Sequence, residues 1–390
     1  MKDAVRLTIG FIPLADAAAL IVAVDKGFAA QEGLEVDLVR EVSWSNMRDK
    51  LNIGLFDAAH LLAPVAVASS LGLGHVKVPI VAPFNLALNG NAITVSPALW
   101  ADLAEAADGD LALPRVSARA FARVVAMRKA KGDDPVTMGM TFPFSNHNYQ
   151  LRFWMAAGGV DPDEDVRLVV LPPPYMVDSL VYGHVDGFCV GAPWNSVAVD
   201  LGVGRILHFG SEIVARAAEK VLAVRRDWAG EHPDVLARLV RSLDRAARFV
   251  ADPVNRSEVA ALLAAPVRLA VAPEVIGRTL DGGLKLTPDG RVRASERYLL
   301  VGRHGASRPD PVQAAWAYAQ MVRWGQASLS PDLLAAAADV FRPDLYEAAV
   351  GAGEVLPPGE PADGIGAFAG PRFDADDIAA YLAYWAPKGS

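Results

Sequence analysis

Cysteine is almost missing: Cys189 is the single one in 390 residues. That excludes a disulfide within the chain, a Cys-x-x-Cys metal or redox motif and any cysteine-rich catalytic signature. Its setting, Gly-Phe-Cys-Val-Gly, is an apolar strand-like run, which favours a buried structural thiol over a nucleophile. No Walker phosphate loop, His-Glu-x-x-His helix or Gly-x-Ser-x-Gly elbow occurs. Leu71-Gly72-Leu73-Gly74 reads as a turn, because no Lys-Ser/Thr succeeds it. Basic clusters are missing too, and 37 Lys+Arg against 45 Asp+Glu leave a net charge of −8. Direct nucleic-acid binding is therefore not expected. No apolar run approaches the roughly 20 residues of a membrane-spanning helix.

A secretory signal needs roughly 7 to 15 uninterrupted apolar residues behind a basic start. Here Arg6, Thr8 and Gly10 interrupt the first apolar stretch, and Asp16 breaks the next one. The opening residues read instead as the first strand of a folded domain. With no cysteine near the N-terminus to carry a lipid, the expectation is a cytoplasmic protein that does not engage a membrane.

What is present is ordinary for a globular protein with a sizeable core: 52% hydrophobic and 21% charged residues. The length fits two or three domain-sized units, or one body of two lobes. Strand and helix patterns alternate: strands at 5–13, 34–42 and 57–62, helices at 17–31 and 45–54. Such a rhythm implies a parallel sheet with crossover helices. An extended stretch over 80–96 is broken by the turn signal Asn89-Gly90-Asn91. Residues 97–134 look helical and more charged. A second alternating unit comes next, with strands at 136–141, 165–171, 187–190 and 206–209 and helices at 149–157 and 176–182. A strand at 220–225 leads to a helix whose Leu236, Leu239, Val240, Leu243 and Phe249 share one face. Beyond Asp252 the chain is mostly helical, with a Gly/Pro-rich connector over 351–371. The predicted plan is α/β and bilobal, with two parallel-type sheets flanked by helices. Residues 1–96 and 212–390 form lobe I with a helical C-terminal extension, and 97–211 form lobe II. Ligands in such sheets sit beyond the carboxyl ends of strands, in the crevice between lobes.

Four residues stand at junctions of this plan. Trp44, in Val-Ser-Trp-Ser-Asn-Met-Arg-Asp, offers a flat wall and an indole N–H; an ordinary core tryptophan is the alternative. Asn91 either closes a turn or points an amide into the crevice. His147, in Thr-Phe-Pro-Phe-Ser-Asn-His-Asn-Tyr-Gln, lies where a strand end meets a helix start, a place suited to an anion or simply to a helix cap. Lys220 opens an apolar strand and is either a solvated edge lysine or a buried cation. His60, inside a strand, reads as a satisfied core residue. N–H donors, one cation and a flat apolar wall are what a delocalised oxyanion needs. No histidine pair has metal-ligand spacing on one helix face, and no cofactor is expected.

Longer segments carry a resemblance across nearly the whole chain. They include Leu-Thr-Ile-Gly-Phe-Ile-Pro-Leu-Ala-Asp-Ala-Ala from Leu7, Gly-Phe-Ala-Ala-Gln-Glu-Gly-Leu from Gly27 and Ser-Trp-Ser-Asn-Met-Arg-Asp from Ser43. Further on come Pro-Pro-Pro-Tyr-Met-Val from Pro172, Gly-Phe-Cys-Val-Gly-Ala-Pro-Trp-Asn from Gly187 and Ala-Trp-Ala-Tyr-Ala-Gln-Met-Val-Arg-Trp-Gly from Ala315. In these the chain resembles the nitrate/bicarbonate-binding branch of the type II periplasmic-binding-protein fold. The resemblance implies a nitrate or nitrite site made by Trp44, Asn91, His147, the strand end Cys189-Val190-Gly191 and Lys220. It implies no catalysis. Bicarbonate-binding members are thought to recruit a divalent cation; with no surplus of acidic residues aimed at the cleft, nitrate or nitrite is expected here. Joined to the expected location, the resemblance implies a sensor like the NasS proteins, which hold a NasT-type RNA-binding antiterminator when empty and release it on ligand binding. The alternatives are the substrate-binding component of an importer and, more remotely, an enzyme of the same fold.

Overall fold

A computed structural model of the chain describes residues 4–351 and 365–385. Most of the expected 351–371 connector therefore lies outside the described residues. The strands that organise the body are β1 (Val5–Phe11), β2 (Leu34–Arg40), β3 (Ala58–Leu62), β4 (Ile80–Asn89), β5 (Asn91–Val95), β6 (Thr137–Met140), β7 (Arg167–Val170), β8 (Gly187–Gly191), β9 (Arg205–Phe209), β10 (Val214–Ala215) and β11 (Ala218–Arg225). β3, β4, β5 and β8 are buried along their whole length, the mark of strands covered on both faces.

Two sheets result. The first is six-stranded, in the order Leu299–Leu300, β4, β11, β3, β1, β2; the second is five-stranded, in the order β7, β6, β8, β5, β9. The sheets are mixed, not parallel-type as expected. β1 runs parallel to β2 and β3, but β11 lies antiparallel between β3 and β4. In the second sheet β6 is parallel to β7 and β8, while β5 is antiparallel to β8 and β9. Besides the edge strand Leu299–Leu300, antiparallel to β4, the reversed strands are those that carry the chain across: β5 arrives from the first sheet and β11 returns to it.

The crossing also moves a boundary. Residues 91–95, expected in lobe I, pair in the second sheet. Asn89 and Gly90 both take positive φ, 59° and 96°. A Cβ at Gly90 would lie 2.8 Å from Leu299 Cδ1. The Asn-Gly turn signal is thus the switch between sheets. Local expectations shift elsewhere by a few residues. The helix expected over 17–31 is two, Ala18–Asp25 and Phe28–Gln31, divided at Gly27 where φ is 73°. The 97–134 stretch is also two helices, Pro97–Ala106 and Pro114–Lys131, with Arg119 and Arg123 both bonded to Asp108 between them.

The C-terminal helices touch both lobes. Helix Pro311–Arg323 packs on Ala63–Leu71 of the first lobe. It also sets Trp316 edge-on against Tyr149 of the second, with centroids 6.3 Å apart. The Tyr149 hydroxyl donates to Gln326 Oε1 at 2.8 Å, and Gln326 Nε2 donates to the Pro143 carbonyl at 3.1 Å. Helix Ile378–Trp385 adds Trp385 against Phe153 at 5.3 Å. Each of these contacts holds the helix Asn146–Ala157 or the loop leading into it, on which the second lobe's contribution to the cleft depends.

The far end of that helix is fixed by close approach. A Cβ on Gly158 would fall 2.1 Å from the Ala118 carbonyl oxygen, a backbone atom with nowhere to go. Gly158→Ala is expected to destabilise the chain by about 1–3 kcal/mol, as overpacking against main chain does, read as a lower urea midpoint at unchanged m.

Candidate functional site

β11 begins with an irregularity. Its register against β4 shifts between Ala218 and Lys220 and again between Lys220 and Val221. A bulge spoils the strict alternation of strand side chains, so neighbours can share a face. Here Glu219 and Lys220 meet: Lys220 Nζ donates to Glu219 Oε1 at 2.9 Å. On its other side the ammonium contacts Asp16 Oδ2, also at 2.9 Å. Asp16 sits in the 3-10 turn Ala15–Ala17 just past β1. Lys220 and Glu219 are fully buried and Asp16 is 2% exposed.

The first lobe adds two rings. His60 on β3 accepts the Ile12 N–H at Nδ1 (3.3 Å) and donates from Nε2 to Asp16 Oδ1 (2.8 Å). Both nitrogens are thereby used by the neutral imidazole. Trp44 opens the helix Trp44–Asn52, which Ser43 caps by accepting from the Asn46 N–H at 3.2 Å. Its ring lies 5.3 Å from Lys220 Nζ and 5.7 Å from the His60 ring.

The second lobe closes over this cluster. Ser145 caps the helix Asn146–Ala157, and Asn146 Nδ2 donates to the Ala218 carbonyl at 2.7 Å, tying the helix start to the bulge. That places His147 Nε2 at 3.6 Å from Glu219 Oε1, with Nδ1 at 2.9 Å from Thr141 Oγ1. Asn91 opens β5 and donates to Glu219 Oε2 at 2.7 Å and to Gln150 Oε1 at 3.2 Å. The Ala15 N–H donates to the Ala192 carbonyl at 2.8 Å, a further link between lobes beside Asp16.

Trp44 Nε1, His147 Nε2 and Gln150 Nε2, on three residues of this cluster, are buried with no hydrogen-bond partner. An unpaired buried polar group costs about 1–3 kcal/mol, a cost that a ligand offering acceptors to these nitrogens would relieve. The charges are tuned as well. Burial alone would raise the Asp16 carboxyl, but Lys220 and His60 outweigh it and bring it down to about 2. Burial works against the Lys220 ammonium, yet Asp16 and Glu219 hold its pKa above the ordinary value. Burial lowers His147 to about 4 despite Glu219, and lowers His60 despite Asp16.

Of the seven expected site residues, Trp44, Asn91, His147 and Lys220 meet in this cluster. Asn91 spends its N–H₂ on Glu219 and Gln150, and only its Oδ1 is unpartnered. Cys189 borders the cluster, its thiol donating to Gln150 Oε1 at 3.6 Å and its pKa raised by burial. Gly191 pairs with Asn91 and lies next to the acid: a Cβ there would be in ordinary contact with Asp16 Oδ2, at 3.5 Å. Val190 does not take part. Its side chain packs with Met176 and Phe188 on the other face of the sheet, and its carbonyl accepts from Asn195 Nδ2 at 2.8 Å.

Sequence reasoning missed Asp16, Glu219 and Gln150. The expectation that no acidic surplus faces the cleft is overturned by two buried carboxylates on one ammonium. A signal existed for each: a lone acid in the apolar stretch 14–23, an acid beside the strand-opening lysine, and an amide three residues past His147 on one helix face. Among the described residues no three His, Cys, Asp or Glu side chains are placed to hold a metal ion, and no helix is long and apolar enough to cross a membrane.

Comparison with known proteins agrees with this architecture. The pattern of the NMT1-like family matches residues 2–264. The nitrate import ATP-binding protein NrtC of Synechocystis is 35% identical over 350 residues, covering 88% of this chain and 50% of that protein. The chain thus spans about half the length of that relative. The nitrate/nitrite binding protein NrtA of Synechococcus elongatus is 30% identical over 387 residues, covering 96% of this chain and 85% of NrtA. The crystal structure of the periplasmic nitrate-binding protein NrtA from Synechocystis superposes with a TM-score of 0.86 at 28% identity, over 97% of this chain and 98% of that one.

The depressed His147 has a consequence for stability. The folded chain keeps it neutral down to about 4, while the unfolded chain protonates it near 6.5. Between those values the unfolded state binds more protons, so stability is full above the upper value and falls as pH drops. Going from neutral pH to roughly pH 5 in nitrate-free buffer should cost about 2 kcal/mol that His147→Gln does not lose. Urea titrations of both proteins at the two pH values measure it.

Proposed function

The chain belongs to the NMT1-like family, and we propose that it binds one small planar oxyanion, nitrate or nitrite, between its lobes. The observation that carries this is the buried Lys220 ammonium with the Trp44 ring 5.3 Å away and His147 on the Glu219 it bonds, where Trp44 Nε1 and His147 Nε2 are both unpartnered. Nitrate is a weak base with dispersed charge. Several modest donors with one cation suit it better than a metal does, and a flat indole face matches its plane. Similarity to proteins named for nitrate import and nitrate binding supports the same choice.

Glu219 favours a second ligand reading. A carboxylate in the site accepts a hydrogen bond from a ligand hydroxyl, which bicarbonate has and nitrate lacks.

We further propose that the bound state is a signal. In this reading the chain acts in the cytoplasm, holds a NasT-type antiterminator when empty and releases it when the lobes close on the anion. Closure can shift such a partner only by the ligand's differential affinity for the two arrangements. Relatedness to a protein named as an ATP-binding component, in which a stretch like this chain accounts for about half the length, fits a ligand-binding unit that informs another activity. Near full-length likeness to NrtA supports the other role, delivery of the anion to an importer.

Calorimetric titration with sodium nitrate, sodium nitrite and bicarbonate is expected to rank the first two above the third; the reverse order would transfer the site to bicarbonate. Trp44→Phe removes the indole N–H along with one ring while keeping an aromatic face, and should weaken nitrate binding roughly tenfold. Lys220→Ala should abolish it, with thermal melting confirming that the variant folds. Size-exclusion chromatography with an antiterminator partner tests the sensor: nitrate should dissociate the wild-type complex and leave the Lys220→Ala complex whole. A complex indifferent to both anions would sink that role.

A further inference from the structure

Counted as ions, Asp16 and Glu219 bring two negative charges to the buried cluster and Lys220 brings one positive charge. A monoanion placed against Lys220 also stands against Glu219. In a buried setting that repulsion is not screened by solvent or salt. Binding of nitrate or nitrite, on which this inference rests, therefore needs a further positive charge that the cluster does not hold while both its histidines are neutral.

The hydrogen bonds show which group can supply it. His60 is satisfied as a neutral ring, accepting the Ile12 N–H at Nδ1 and donating from Nε2 to Asp16. A proton on Nδ1 would break the Ile12 bond. His147 is different. Its Nδ1 faces the Thr141 hydroxyl, which donates to a bare nitrogen or, by turning, accepts from a protonated one. Its Nε2 has no hydrogen-bond partner and lies 3.6 Å from Glu219 Oε1. Both protonation states of this ring can therefore be accommodated. The other groups around it are accounted for: Lys220 and Glu219 on β11, Asp16 past β1, the amides of Asn91 and Gln150, and the Cys189 thiol, kept neutral by burial.

We propose that nitrate enters this cleft together with one proton, which His147 takes up. The incoming negative charge and the new imidazolium cancel, so the cluster keeps the charge it has without either. Nε2–H then serves as a charged donor between Glu219 and the ligand. Because burial keeps His147 neutral down to about 4 in the unliganded chain, the uptake falls in the range above that value. Anion affinity is then highest on the acid side and declines as pH rises, the sign required when the bound state holds the extra proton. Bicarbonate brings the same negative charge but can donate its own hydroxyl to Glu219, a bond that nitrate cannot make.

Calorimetry with sodium nitrate over roughly pH 5 to 7, in buffers of different ionisation enthalpy, reads proton uptake directly. The expected result is about one proton per nitrate and an affinity falling about tenfold per pH unit. Two variants locate the proton. His147→Gln keeps a neutral N–H donor and should bind nitrate more weakly, with no uptake and a flat pH profile. Glu219→Gln removes the surplus charge and should bind nitrate without uptake, roughly tenfold more tightly than wild type at the alkaline end. Nitrate binding by the wild-type chain with no proton uptake and no pH dependence would overturn the inference while leaving the binding reading intact. Uptake that persists in His147→Gln would overturn the assignment to this residue. No nitrate binding at any pH would remove the binding reading itself.

Discussion

The ammonium of Lys220, buried between the carboxylates of Asp16 and Glu219, is the contact from which the cleft is built. A charge this deep is tolerated only when paired and hydrogen-bonded, and removing one partner of such a pair costs about 3–5 kcal/mol. Every neighbour serves that requirement. His60 donates to Asp16, Asn91 donates to Glu219, and the Trp44 face covers the ammonium. The β11 bulge puts two successive residues into one cluster, which a regular strand would divide between opposite faces of the sheet.

The same network decides how the lobes relate. Asp16, His60, Trp44, Glu219 and Lys220 come from the first lobe; Asn91, His147, Gln150 and Cys189 come from the second. Bonds between the two sets are bonds between lobes. The C-terminal helices reinforce them from outside, since Trp316, Gln326 and Trp385 grip the helix that carries His147 and Gln150. A ligand that offered acceptors to the unpartnered Trp44, His147 and Gln150 donors would add its own bonds to those already joining the halves. Closure and binding are then one event, which is what a binding protein of either kind, reporter or carrier, requires.

The fold was largely legible. Alternating apolar patterns place most strands and helices within a few residues of where they lie, because each pattern reports the burial of one local element. Strand direction was not legible. A run such as 220–225 reads identically whether it pairs parallel or antiparallel, and only its insertion between β3 and β4 reverses it. The boundary at Ser96 failed for a related reason: an Asn-Gly turn looks like a hairpin locally, yet here it hands the chain from one sheet to the other.

The site divides along the same line. Residue types suited to an oxyanion at strand and helix junctions, Trp44, His147 and Lys220 among them, are properties of short segments, and the chain alone determines them. Whether Lys220 is solvated or buried depends on residues up to 204 positions away, since its counter-ion is Asp16. Likewise the sign of the cluster depends on Glu219 turning inward at a bulge that no local pattern announces. Local segments announce the Trp44, His147 and Lys220 donors, though not Gln150. Tertiary structure alone decided that two acids stand among them, because electrostatic environment is set by what is close in space and shielded from water.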